Sequence, residues 1–348
     1  MLASDPAAQS RLPRPEIAQV RPIGHLPCGT EVHAISLVSG RFAAQIMTYG
    51  GTLQGFWVGA QNIVLGYATL DAYLGDQTAY LGATIGRLGN RIRDGRFTLH
   101  GVAYQIGVPQ DQGLHGGPQG FDKRIWSISQ VTETAVTLSL VSADGDQGFP
   151  ARVAAEVTYA LTAEGLEMTH RAVSDAPTPV SMTNHAYLNL GGAVADHVLQ
   201  LNAAQYLLPD AQGIPVGAPR PVEGTAFDFR TPKRIGEVLD GVDPQIEARG
   251  GFDHALCLDG EGMREVGGLS LPGGVSLTLW TDQPVTMFYT GNGLGAGTSK
   301  AEAPLRARAG LCLEPQAYVD AINRPDFPFN LTTPDHPHLS RIAWHFGH

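Results

Sequence analysis

Five stretches of this 348-residue chain, at residues 82–92, 114–126, 183–192, 251–254 and 313–320, set reactive side chains among glycines and aromatics, where a plain structural strand has no use for them. In the last, Glu314 follows Gly310-Leu311-Cys312-Leu313, so a carboxylate comes at the end of an apolar run. Burial there raises a carboxyl pKa and makes the group a usable general base. The run Thr183-Asn184-His185-Ala186-Tyr187 offers His185, an imidazole able to trade protons near neutrality. Asn90 and Arg91, His115 beside Gly116-Gly117, and Asp253 in Gly251-Phe252-Asp253-His254 complete the polar set. Each also has an ordinary reading. A histidine beside glycine serves as a loop or hydrogen-bonded core residue, an arginine as half of a surface ion pair, and an aspartate as a turn or cap.

The elements that must position these groups read as strands. Val153, Ala155, Val157, Tyr159 and Leu161 alternate with Ala154, Glu156, Thr158 and Ala160, as the two faces of a half-buried strand require. Leu166, Met168, His170 and Ala172 repeat the pattern after an Ala-Glu-Gly turn, so residues 153–173 read as a β-hairpin. Val136, Leu138 and Leu140, then Val275, Leu277 and Leu279, mark two more strands. Helical periodicity is confined to short turns near residues 70–74 and 235–239. The fold class expected is therefore all-β, a large antiparallel β-sandwich with few short helices. Residues 21–348 read as a single domain behind a flexible N-terminal arm at 1–20.

Composition narrows the function. The chain is 43% hydrophobic and 16% charged with 43 glycines and 24 prolines, a globular and turn-rich mixture. Net charge is -10 and no basic stripe occurs, which argues against nucleic acid as a partner and leans towards a neutral substrate over an anionic one. Asp5, Pro6, Pro13 and Pro15 interrupt what a secretory leader would need, and no run approaches 18 apolar residues, so a cytoplasmic chain with no membrane contact is expected. Three widely spaced cysteines fit neither a disulfide framework nor zinc, and Cys257 and Cys312, inside apolar runs, read as buried thiols. The run 291–296, Gly-Asn-Gly-Leu-Gly-Ala, matches a dinucleotide fingerprint but lacks the strand–turn–helix context, so it reads as a hairpin loop. His336, His338, His345 and His348 read as a solvated tail rather than a metal site.

Together the motifs resemble a family. The pattern GR..NRI at 86–92, LHGG at 114–117 with GFDK..W at 120–126, TNHAYLNLGG at 183–192, GFDH at 251–254, FYTGN at 288–292 and CLEPQ.Y.DA.N.P.FP at 312–328 is similar, in order, to the signatures of the aldose 1-epimerases (galactose mutarotases). The resemblance runs from about residue 30 to the C-terminus. It implies a one-domain supersandwich, no cofactor and no metal, and a monosaccharide substrate held in an open cleft. It makes Glu314 the general base and His185 the general acid, with Asn90, Arg91, His115 and Asp253 holding sugar hydroxyls and the ring oxygen. Against that pattern, Met287 stands where many relatives have Gln, Pro315 where Thr is common, and Ala186 and Leu188 where relatives carry a hydroxyl or an aromatic. These changes bear on which sugar is preferred; galactose, glucose, xylose and arabinose share the reacting atoms, and neither this choice nor monomer against homodimer is legible. Two other readings fit part of the pattern. Asp253 and Glu314 could be the paired carboxylates of a glycoside hydrolase, and a β-sandwich can bind sugar without catalysis.

Overall fold

The computed structural model describes residues 12–241, 243–295 and 305–347. Its largest sheet follows from side-chain alternation. In Val153–Leu161 every odd-numbered residue is buried and every even-numbered one is exposed or half-buried. Gly165–Ser174 pairs with it antiparallel, from Val153 opposite Ser174 to Leu161 opposite Leu166, which closes the hairpin expected at 153–173. Seven more strands extend this pair on both sides. The order is Lys233–Arg234, Val198–Leu201, Arg264–Ser270, Ser276–Thr281, His338–Phe346, Gly165–Ser174, Val153–Leu161, Ala135–Ser142 and Ser127–Val131.

Two five-stranded sheets complete the layers. One is an N-terminal meander of Gln19–His25, Glu31–Ser39, Phe42–Met47, Thr52–Val58 and Gln61–Asn62. The other runs in the order Arg220–Pro221, Gln205–Tyr206, Asp253–Cys257, Val285–Tyr289 and Cys312–Gln316. A single apolar cluster joins Ile35 and Phe56 of the meander, Val157, Leu279 and Trp344 of the nine-stranded sheet, and Leu256, Phe288 and Leu313 of the third sheet. Burying these faces against one another is the main force holding the layers together. The all-β antiparallel sandwich expected from the sequence is what the chain forms.

Short helices occupy Leu70–Gly75 and Ile235–Leu239, at the two places where helical spacing occurs. A third, Pro244–Ala248, has no hydrophobic period long enough to announce it and rests on its start signals. The Asp243 carboxylate accepts from the Gln245 and Ile246 N–H groups, and Pro244 occupies the first turn. No described helix is long and apolar enough to cross a membrane. Of the arm assigned to 1–20, residues 1–11 lie outside the described residues, while Gln19 and Val20 already pair with Ser36 and Ile35.

The C-terminal histidines divide: His336 is exposed ahead of the last strand, as expected, whereas His338 and His345 lie within it and are no solvated tail. His338–Phe346 lies inside the nine-stranded sheet, between Ser276–Thr281 and Gly165–Ser174, because Ile342, Trp344 and Phe346 turn one apolar face to the core. Pro337 precedes the strand and breaks no pairing. His338 takes part in the packing, its Nε2 accepting from the Met182 N–H at 3.1 Å; His348 lies outside the described residues. Residues 291–295 begin the connection between Val285–Tyr289 and Cys312–Gln316, which are antiparallel neighbours; Ala296 lies outside the described residues. Cys257 and Cys312 are buried free thiols as expected, and Cys28 is an exposed one.

Candidate active site

Glu314 occupies the middle of Cys312–Gln316 rather than its end. Strand alternation puts Cys312, Glu314 and Gln316 on one face and Leu313 and Pro315 on the other. The register places Met287 opposite Glu314, Ala255 opposite Met287, Tyr289 opposite Cys312 and Asp253 opposite Tyr289. One face of this sheet therefore carries Asp253, Tyr289, Cys312 and Glu314, while Leu256, Phe288 and Leu313 on the other anchor it in the core. Pro315 is tolerated because Cys312–Gln316 is the last strand of its sheet.

His185 arrives from a different segment. Thr183–Asn184 pairs with Thr84–Ile85, and the His185 backbone continues the contact, donating to Ala83 O and accepting from the Gly82 N–H, both at 2.9 Å. Three residues on, Leu188 and Leu311 exchange two backbone hydrogen bonds of 2.7 and 2.9 Å, which ties the His185 segment to the strand of Glu314. The result is a contact of 3.6 Å between His185 Nε2 and Glu314 Oε1. The Tyr187 ring at 5.1 Å, His115 at 5.3 Å, Tyr80 at 5.6 Å and Tyr289 at 6.4 Å box the imidazole. Cys312 Sγ lies 3.6 Å from its Nδ1.

Burial governs the protonation of this pair. Desolvation pushes the Glu314 carboxyl up to about 8, with Asp253 adding to the rise and Arg91 opposing it. Desolvation likewise pushes His185 down to about 4. The two values straddle neutrality, but in the order opposite to that of a free carboxylate and imidazole, because removal from water penalises the charged form of both. Burial thus favours the neutral form of both groups.

Asn90 and His115 lock together through their backbones. The His115 N–H donates to Asn90 O at 3.0 Å, and the Asn90 N–H donates to His115 Nδ1 at 3.2 Å. Both residues adopt left-handed φ, 62° and 52°. With Nδ1 accepting, the proton of neutral His115 sits on Nε2, the free nitrogen. Its pKa lies well below the usual value, through burial first and then His185, Arg91 and Lys123, so it is a neutral donor. Arg91 enters no ion pair among the described residues; its side chain runs past Gly213, where a Cβ would come within 3.1 Å of it. Asp253 opens its strand and is bridged by Arg249 at 3.3 Å, Arg249 being fixed in turn by a bond to Asp210 O.

The structure thus gathers Glu314, His185, His115 and Asn90 into one buried group with Asp253 and Arg91 at its edge. Arg87, within the same GR..NRI motif, belongs elsewhere. It is buried and donates to Ser142 Oγ, Ser142 O, Ala143 O and Pro150 O, a structural anchor. Sequence reasoning passed over Arg249, Tyr80 and the thiol of Cys312. The last was findable, since a residue two before Glu314 on a strand must share its face. Tyr80 carried no such signal.

The aldose 1-epimerase family model matches residues 33–343. Galactose mutarotase of Rattus norvegicus is 38% identical over 325 residues, covering 89% of this chain and 93% of the rat protein. The chain belongs to the aldose 1-epimerase family. The aldose 1-epimerase of Escherichia coli K12 is 39% identical over 296 residues, 81% of this chain and 85% of that protein. Among solved structures, galactose 1-epimerase from Lactobacillus acidophilus NCFM superposes with a TM-score of 0.84 at 27% identity, covering 95% of this chain and 99% of its own. The protein is accordingly an isomerase that acts on the anomeric carbon of an aldose, not a glycoside hydrolase or a mere sugar-binding sandwich.

Proposed function

We propose that this mutarotase opens the hemiacetal ring of a free aldose with Glu314 as general base at the C1 hydroxyl and His185 as general acid at the ring oxygen. The observation that carries the reading is the buried 3.6 Å Glu314–His185 contact, flanked by Asp253, Arg91 and the neutral donor His115. Before opening, the working distribution is carboxylate and imidazolium; after it, carboxylic acid and neutral imidazole. No net proton is gained, and rotation about C1–C2 followed by the reverse transfers closes the ring on the other face. Burial favours the second distribution, so desolvation drives the proton in the direction that opens the ring. Hydrogen bonds from sugar hydroxyls to the carboxylate favour the first while the closed sugar binds. Arg91 stabilises charge that develops at oxygen as the bond breaks, and His115 and Asp253 orient the sugar.

Galactose is the first sugar to assay, being the one named for the relatives above, and the apolar row Ala255–Met287 beside Glu314 offers it no side-chain hydrogen bond. We place the enzyme in the cytoplasm, on the support of three unpaired cysteines, and treat the chain from the strand Gln19–His25 onward as one catalytic domain. Polarimetry or exchange NMR on fresh α-galactose and α-glucose tests the mechanism. Glu314→Gln and His185→Gln should each cut kcat by roughly 10²–10⁴-fold with the fold intact. Wild-type kcat in either variant removes the role assigned to that residue.

A further inference from the structure

Cys312 supplies a donor that acid–base catalysis does not call on. Its Sγ, one ring nitrogen of His185 and one carboxylate oxygen of Glu314 all lie within 4.8 Å of one another, and all three side chains are buried. The second oxygen, Glu314 Oε2, has no hydrogen-bond partner among the described residues. Thiolate, imidazole and carboxylate are a donor set suited to zinc, which binds them at about 2.0–2.3 Å.

We propose that the His185–Cys312–Glu314 triad is an inhibitory site for thiophilic divalent cations, zinc foremost. That an occupied site is inactive rests on the acid–base reading above; that the site binds the ion does not. The ion takes the lone pairs through which His185 and Glu314 would move protons, so it competes with the sugar. The sulfur selects against magnesium and calcium, which prefer oxygen ligands. A net charge of -10 draws cations to the protein in general, but only this triad combines a buried thiol with the groups proposed to catalyse.

The test uses the full chain carrying Cys28→Ser, which removes the exposed thiol from every arm. Zinc added to the mutarotation assay in a non-chelating buffer should slow anomer exchange; EDTA should restore it and magnesium should have no effect. In Cys312→Ala the zinc concentration for half-inhibition, relative to that variant's own zinc-free rate, should rise at least tenfold; Cys312→Ser does the same and serves where the alanine variant folds poorly. Cobalt(II) should add one equivalent of a near-ultraviolet thiolate-to-metal charge-transfer band that both Cys312 variants lack. An unchanged half-inhibition point in the Cys312 variants, or no cobalt–thiolate band, overturns the proposal. A fully active Glu314→Gln would instead sink the acid–base reading and leave the band standing.

Discussion

His185 and His170 are both buried histidines whose pKa burial drives down, to about 4 and about 3. Their surroundings separate them. His170 sits in Gly165–Ser174 opposite Ser340, with His338 next on the same face, and the polar contact of its ring is a loose one to the Ser340 backbone. His185 meets Glu314 within ion-pair distance and lies in an aromatic box beside His115. A depressed histidine pKa alone therefore marks burial. Function is marked by a second titratable group, displaced the opposite way, within proton-transfer reach.

The sharpest break of this comparison is a matched pair of variants. His185→Leu should lose roughly 10²–10⁴-fold in kcat, whereas His170→Leu should keep wild-type kcat by polarimetry. A loose contact to the Ser340 backbone contributes little, so replacement of the imidazole by an apolar side chain should leave thermal stability within about 1 kcal/mol of wild type at neutral pH. Comparable losses of kcat in both variants would erase the distinction. Arg91→Ala comes next. It removes the cation that opposes the rise of the Glu314 pKa, and kcat/KM should fall about 10–100-fold, read by steady-state kinetics against a wild-type circular dichroism spectrum.

The third prediction turns on pH. The folded-state pKa values of His170 and of His338, about 3 and about 4, lie below the usual histidine value. The unfolded chain therefore takes up protons first. Stability is full above about pH 6.5 and falls as pH drops from there towards 4, by on the order of 1–2 kcal/mol per histidine at pH 5. Denaturant melts at pH 7 and pH 5 should show this loss, smaller in His170→Leu; an identical loss in that variant would move the acid lability to other groups. The smallest effect expected is for Met287→Gln, which adds an amide beside Glu314 and should shift KM a few-fold between sugars with little change in kcat.

Legibility in the sequence followed exposure. Val153–Leu161 announces itself because one face meets solvent, so apolar and polar residues alternate. Phe42–Met47 is buried at every position and Thr52–Val58 at all but the last, so covered faces leave no period to read. His338–Phe346 was masked by Pro337 and by its nearness to the terminus, two cues that carry no weight once the strand is central. In the site, Glu314 and His185 stood in recognisable motifs. Cys312 was legible from its place two residues before Glu314 on one strand, whereas the role of Arg249 depends on pairings between distant segments, which a one-dimensional pattern does not encode.

The hydrogen bonds between Leu188 and Leu311 involve backbone atoms alone, and each leucine stands three residues from its reactive neighbour, His185 or Glu314. The spacing of acid and base is thus set by main-chain register, to which most side-chain substitutions are invisible. A side-chain change at Met287 can therefore alter what the sugar meets without moving the two proton carriers apart.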